Sequence, residues 1–195
     1  MQSPTNYALT VSNSFQFLNQ KFGKIGLLSL VKGQIEALVV GLISWIPTVF
    51  GMAIRNVAYR ALGMKIDGFC WIQPGVTFVN LGKLKVGRNF ACNTGSYLNA
   101  LGGITMGDDV LIGSNVTVSA GKHGIEGREL SVISRPAEPT PIQFGNDVWL
   151  GAGVVILPGV TLADGTVVGS NSVVTRDTDP YSVVAGCPAR PLRRR

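Results

Sequence analysis

One histidine, His123, stands in a chain of 195 residues. Zinc sites draw three or four ligands, largely from histidine and cysteine, so a histidine-rich metal site is all but excluded and no metal is expected. The three cysteines, Cys70, Cys92 and Cys187, follow neither a zinc nor a disulfide spacing, which points to a reducing, cytoplasmic setting. Charge is scarce: Asp, Glu, Lys and Arg make up 14% of the chain, against about 25% in ordinary soluble domains. There is no Gly-x-x-x-x-Gly-Lys-[Ser/Thr] phosphate loop and no dinucleotide Gly-x-Gly-x-x-Gly after a strand. No nucleic-acid partner is expected either. Residues 1–24 form a polar arm with scattered aromatics and no basic segment running into an apolar one, so no cleaved signal peptide is expected.

What the chain does have is a period of six. Phe144, Leu150, Ile156, Leu162, Val168 and Val174 fall six apart, and four places after these come Val148, Val154, Val160, Thr166 and Ser172. A fixed short period sets the whole fold. Each hexad makes one short strand and one corner, with the first apolar residue pointing inward. Gly, Asn or Asp at the corner takes the positive φ that other residues resist. Three hexads close a triangular coil, and coils stack at about 4.8 Å. The repeat begins near Ile66, with Ile66, Ile72 and Phe78, then Val86, Cys92 and Leu98, then Met106, Ile112 and Val118. Steps of eight after Phe78 and Leu98 predict a bulge at one corner of each of the first two coils, at Gly82 and at Gly102-Gly103. The expected fold is a mainly β, parallel β-helix of about five coils over 66–178.

Three stretches depart from the repeat. The first is the hydrophobic segment 25–65. Within it Ala37 to Ile54 carry no charge, Lys24 and Lys32 precede, and Arg55, Arg60 and Lys65 follow. Pro47 breaks any helix there, so the reading is two short helices dipping into one leaflet, both ends cytoplasmic. The competing reading is a helix pair packed on the β-helix or on a neighbouring subunit. The second is the excursion 119–143, which holds the only histidine and closes with Pro136, Pro139 and Pro141; so long a loop inside a compact repeat is usually functional. The third is 179–195, a cap for the last coil's open edge that ends in Arg193-Arg194-Arg195. The net charge of +6 favours an anionic ligand or an anionic membrane surface.

Four segments in order carry a resemblance: Gly145-Asn-Asp-Val-Trp-Leu-Gly-Ala-Gly, Leu157-Pro-Gly-Val-Thr, Ser172-Val-Val-Thr-Arg-Asp and Ala185-Gly-Cys-Pro-Ala-Arg. They resemble the hexapeptide-repeat acyltransferases, in the branch of maltose and galactoside acetyltransferases and polysaccharide O-acetyltransferases. The resemblance covers about Ile66 to Arg190. It implies a left-handed coil, a homotrimer, and acetyl-CoA as cosubstrate in the cleft between neighbouring β-helices. It further implies a carbohydrate acceptor, free or lipid-linked, in cell-surface polysaccharide biosynthesis at the cytoplasmic face of the membrane. His123 falls at the family's catalytic histidine. A neutral imidazole takes a proton from a sugar hydroxyl and returns it to the leaving thiolate. The oxyanion formed on the thioester needs a fixed donor, which a glycine-rich corner such as Gly151 or Gly153 could supply. Glu126 and Glu129 are candidates to orient the imidazole. Asn99 stands where relatives often carry an acid near the acceptor. For acetyl-CoA the resemblance points to Trp149 beside the pantetheine arm, to Gly151, Ala152, Gly169 and Ser170 lining the channel, to Pro188 in the tail, and to Arg176 and Arg190 near the phosphates. A non-catalytic β-helix scaffold and a soluble small-molecule acetyltransferase are the competing readings.

Overall fold

The computed structural model describes residues 27–195; the polar arm expected over 1–24 lies outside them. Helix α1 (Leu27–Ile43) and helix α2 (Thr48–Ala61) come first. Pro47 stands at the N-cap of α2 in extended conformation, the place where its missing N–H costs nothing. The first coil is β1 (Lys65–Ile66), β2 (Trp71–Ile72) and β3 (Thr77–Val79); the second is β4 (Leu84–Val86), β5 (Ala91–Cys92) and β6 (Tyr97–Asn99). The third is β7 (Ile104–Met106), β8 (Leu111–Ile112) and β9 (Thr117–Ser119). A hairpin of β10 (Gly121–His123) and β11 (Ala137–Pro139) then leaves the prism. Coil four is β12 (Ile142–Phe144), β13 (Trp149–Leu150) and β14 (Val155–Ile156), and coil five is β15 (Thr161–Leu162), β16 (Val167–Val168) and β17 (Val173–Val174). The antiparallel pair β18 (Ser182–Gly186) and β19 (Ala189–Arg194) ends the chain.

Strands at the same place in successive coils pair in parallel and make the three sides of the prism. Side A is β1-β4-β7-β12-β15, side B is β19-β18-β16-β13-β8-β5-β2, and side C is β17-β14-β9-β6-β3. The inward residues stack in register: Phe144 lies opposite Met106 and Leu162, Leu150 opposite Ile112 and Val168, and Ile156 opposite Val118 and Val174. All of these are buried. The corners carry the predicted chemistry, since among the described residues six of the eight non-glycine residues with positive φ are Asn or Asp. Both expected bulges lie at the edge joining side C to side A, one as a short 3-10 turn at Leu81–Lys83, the other at Leu101–Gly103.

The helices close the open bottom of the prism. Arg55 is fully buried and has no acid beside it; its guanidinium donates to the carbonyls of Ile72 (2.9 and 3.1 Å), Ile46 (2.7 Å), Ile43 (3.3 Å) and Ser44 (3.4 Å). It thereby satisfies the orphan carbonyls at the end of α1 and ties them to β2. Burial lowers its proton affinity. Glu36 of α1 accepts the Leu81 N–H at 3.0 Å, seating α1 on the first bulge. Away from the prism α1 and the turn after it expose Leu28, Val31, Ile35, Leu38, Leu42 and Trp45, and α2 adds Val49, Phe50 and Val57. Among the described residues no helix is long and apolar enough to cross a membrane.

Candidate active site

The excursion leaves the edge between sides C and A, the same edge that carries both bulges. Its stem is the β10–β11 pair, with His123 opposite Ala137 and Lys122 opposite Glu138. His123 is exposed, and its Nδ1 lies 3.3 Å from the main-chain oxygen of Arg135. A carbonyl only accepts, so this contact is a hydrogen bond in the tautomer that carries its proton on Nδ1, which leaves the lone pair of a neutral ring on Nε2. Neither Glu126 nor Glu129 bonds to the imidazole; both sit exposed on the crown of the loop. The two acids named as candidates to orient the ring thus make no hydrogen bond to it within this chain. The ring instead contacts a backbone carbonyl, that of Arg135, two residues before its stem partner Ala137.

Asn99 lies one coil below, opposite Ser119. Its Oδ1 accepts from Asn80 Nδ2 at 2.9 Å and from the Leu101 N–H at 3.1 Å, which fixes it within the C–A edge.

Trp149 is on the other flank of the molecule. It projects outward from side B in a column that reads Trp71, Ala91, Leu111, Trp149, Val167, Val183 and Arg193. The indole is 51% exposed, so it is not core. It lies along a groove of 490 Å³ whose far end carries Arg193 and Arg195. The terminal arginines, for which the sequence leaves coenzyme A, anionic lipid and plain solvation open, have defined places in the fold: Arg195 pairs with Asp147 at 2.7 Å, and Arg193 tops the Trp149 column. Only the pairing of β18 with β19 reveals Arg193, since its place depends on a hairpin that the hexads do not foretell.

The small residues cluster at the edge between sides B and C. A Cβ on Gly151 would stand 2.7 Å from the Ser170 nitrogen, and one on Gly169 would stand 2.8 Å from the Ala185 Cβ. Coil stacking alone thus demands glycine at both places. The main-chain donors there are unequal. Gly151 N–H is taken by Val168 O at 2.8 Å and Gly153 N–H by Ser114 O at 2.8 Å, so neither is available as an oxyanion donor. Among the described residues the N–H groups of Ala152 and Ser170 donate to nothing, and both residues are exposed. Hexads pair every second or third amide with the next coil, and the corner residue's amide is the one left over. Pro188 and Arg190 lie in and just after the turn from β18 to β19, and Arg176 follows β17; all three are exposed.

The structure does not bring these groups together in one chain. His123 rises from the C–A edge, and Trp149 faces out from side B, the side opposite that edge.

Comparison with known proteins gives a consistent set of likenesses. The family profile described as bacterial transferase hexapeptide (six repeats) matches residues 141–176, and that of the hexapeptide repeat of succinyl-transferase matches residues 94–126. The galactoside O-acetyltransferase of Escherichia coli K12 is 41% identical over 123 residues, which cover 63% of this chain and 60% of that protein. A protein of the same organism named for colanic acid biosynthesis, the acetyltransferase WcaF, is 32% identical over 152 residues, covering 78% and 80%. Among solved structures, a galactoside acetyltransferase in complex with coenzyme A superposes with a TM-score of 0.79 at 31% identity, covering 88% of this chain and 84% of that one. A Vibrio cholerae hexapeptide-repeat acetyltransferase complexed with acetyl-CoA gives 0.78 at 27% identity, covering 87% and 90%. The chain matches about three-fifths of the length of the first curated relatives, 60% and 58%.

Proposed function

The chain belongs to the hexapeptide-repeat acyltransferase family, and from that membership we propose that it moves an acetyl group from acetyl-CoA to a hydroxyl, or an amine, of a sugar. The observation that carries this reading is the state of His123. Its Nδ1 lies 3.3 Å from the Arg135 carbonyl, which only accepts, so in the neutral ring on this exposed hairpin Nε2 is the nitrogen open to take a proton. Nε2 takes the proton of the acceptor hydroxyl as the oxygen attacks the thioester carbon. The tetrahedral oxyanion is met by a main-chain donor, for which the free N–H of Ala152, three residues beyond Trp149, is the candidate. Collapse expels the CoA thiolate, and the imidazolium returns its proton to the sulfur. Transfer is direct, without an acyl-enzyme, since among the described residues no Ser or Cys side chain hydrogen-bonds to the imidazole.

The pantetheine arm runs past Trp149 and the exposed corner residues Ala152 and Ser170, with Arg176, Arg190 and Arg193 for the phosphates. Guanidinium groups suit phosphate geometry, and two similar structures are complexes with coenzyme A or acetyl-CoA. Since His123 and Trp149 sit on opposite flanks of one prism, the complete site lies between two copies, His123 from one and Trp149 from the next, in a closed trimer. The acceptor is a cell-surface polysaccharide precursor, and the apolar face of α1 holds the enzyme at the cytoplasmic side of the membrane. The names of relatives such as WcaF support the acceptor class, and the exposed stripe of α1 supports the location.

The test is calorimetric titration of acetyl-CoA into the detergent-purified protein, wild type beside His123→Ala. Saturable binding at one site per chain is expected in both, with acetyl transfer lost only in the variant, by a factor of about 10²–10⁴. A folded trimer that takes up no acetyl-CoA would return the chain to the scaffold reading.

A further inference from the structure

We infer that Arg135 is the positioning residue for His123, acting with its main chain on the imidazole and with its side chain on the loop that carries the site. The inference rests on His123 as the general base. Arg135 closes the short 3-10 turn Val132–Ser134 and stands immediately before Pro136. A residue before proline is pushed out of the helical region, and Arg135 is extended, with φ −82° and ψ 140°. That conformation turns its carbonyl toward the stem, where it meets His123 Nδ1 at 3.3 Å.

The side chain works in the other direction. Residues 125–134 are all exposed, yet Arg135 is half-buried. Its Nη2 donates to the carbonyls of Gly127 at 3.0 Å and Leu130 at 3.1 Å, and its Nε is enclosed without a partner. Among the described residues, these two bonds are the ones that tie the crown, residues 124–130, to the rest of the molecule. Gly127 takes a φ of +78°, so its carbonyl is presented to the guanidinium by a turn that a side chain would strain. One residue thus clamps the crown at one end and selects the ring tautomer at the other. A loosened crown would let the chain at 135 drift, and the ring would then relax to the tautomer with its proton on Nε2, which cannot accept the acceptor's proton.

The single histidine makes this measurable. In protein labelled with ¹⁵N only at histidine, and purified without a histidine tag, long-range ¹H–¹⁵N spectra show one imidazole and report which nitrogen holds the proton. With the ring neutral, the wild type is expected in the Nδ1–H form. Arg135→Ala is expected to shift a substantial fraction to Nε2–H. Its turnover with acetyl-CoA and a simple galactoside as probe acceptor should fall about tenfold to a hundredfold, as for a misplaced catalytic group, with KM for acetyl-CoA within about twofold. Arg135→Lys, which keeps a cationic donor, should recover part of both losses. A merely structural arginine would lower the unfolding midpoint and acetyl-CoA binding together and leave the tautomer alone. A wild-type ring protonated on Nε2, or an Arg135→Ala protein with wild-type tautomer and turnover, overturns the inference. If the alanine variant fails to fold, the lysine variant is judged on the same two readouts. Full activity in His123→Ala would instead remove the base, while the tautomer result would still stand by itself.

Discussion

Asn146, in one of the segments that carry the family resemblance, holds neighbouring coils together. Its side-chain oxygen accepts the Asp108 N–H at 2.9 Å, one coil below, and Asp164 in turn accepts the Asn146 N–H at 2.6 Å. Asp108 does the same for the Arg88 N–H at 2.8 Å. The Gly-Asn-Asp segment therefore marks a surface edge where amides lacking a strand partner are taken by side chains of the next coil. The Arg88 guanidinium beside Asp108 holds that carboxyl below the usual range, but at the protein surface such a pair adds little. The buried thiols matter more. Burial pushes Cys70 from the usual 9.0 up to about 11, and pushes Cys92 higher still. Tyr59, packed edge-on against Phe78, is pushed up to about 12 by the same cause. A folded-state pKa raised above the unfolded one means that the unfolded chain sheds its proton first. The stability these groups confer is thus complete below about pH 9 and is lost as the pH climbs through the folded values. Urea unfolding midpoints should be level from neutrality to about pH 9 and drop beyond it, and Cys92→Val should soften the drop. In the folded protein only Cys187, the exposed cysteine, should react promptly with a thiol reagent.

At the scale of elements, the parts that were legible in the sequence are those a period can express. The inward column from Ile66 to Val174, the bulges at Leu81–Lys83 and Leu101–Gly103, and the exit of the chain after Val118 all follow from counting sixes and eights. The break at Pro47 was legible for a different reason, because proline removes a donor wherever it stands. What the sequence could not express was pairing between segments of no fixed period. The Arg135 carbonyl behind His123, the free amide of Ala152 beside two engaged glycine amides, and Arg193 above Trp149 are all consequences of register. Helix α1 lies between these cases. Its apolar residues were plain, but which of them face outward depends on how Glu36 and Arg55 seat the helix on the first coil. The outward set, Leu28, Val31, Ile35, Leu38 and Leu42, recurs at three and four, which is one helical face. Leu42 is 69% exposed and Leu38 63%, so replacing both with Glu should change folding by only about 0.5 kcal/mol each. On the membrane reading, Leu38→Glu/Leu42→Glu moves the protein from the membrane fraction to the supernatant, still a trimer, and still binding acetyl-CoA. A wild type that is already in the supernatant, and a trimer that falls apart on substitution, would make the same face a subunit contact.

The whole molecule presents three unlike sides. Side A carries Lys65, Lys85, Thr105, Gln143 and Thr161 outward and is polar throughout. Side B carries the Trp71-to-Val183 column, and side C carries Thr77, Tyr97, Thr117, Val155 and Val173. Side B, the most apolar of the three, next to a polar side A would suit the closed trimer proposed above, in which B of one copy meets C of the next through a heterologous contact and A faces water. The same packing would carry the His123 hairpin, which stands at the C–A edge, toward the Trp149 groove of its neighbour. Each copy would then own half of two sites. That arrangement makes a quantitative prediction that a site within one chain does not. His123→Ala and Trp149→Ala homotrimers should each be nearly inactive. In trimers assembled from equal amounts of both, a site is intact when one copy keeps its histidine and the next keeps its tryptophan. With random assembly this holds at about a quarter of the sites. Mixing after mild dissociation, or co-expression with separable tags, should therefore recover about a quarter of wild-type turnover. Separately folded homotrimers that are simply combined should recover none. Recovery of nothing from mixed trimers shown to contain both chains would place the two residues in one site of one chain, against their positions on opposite flanks of the prism.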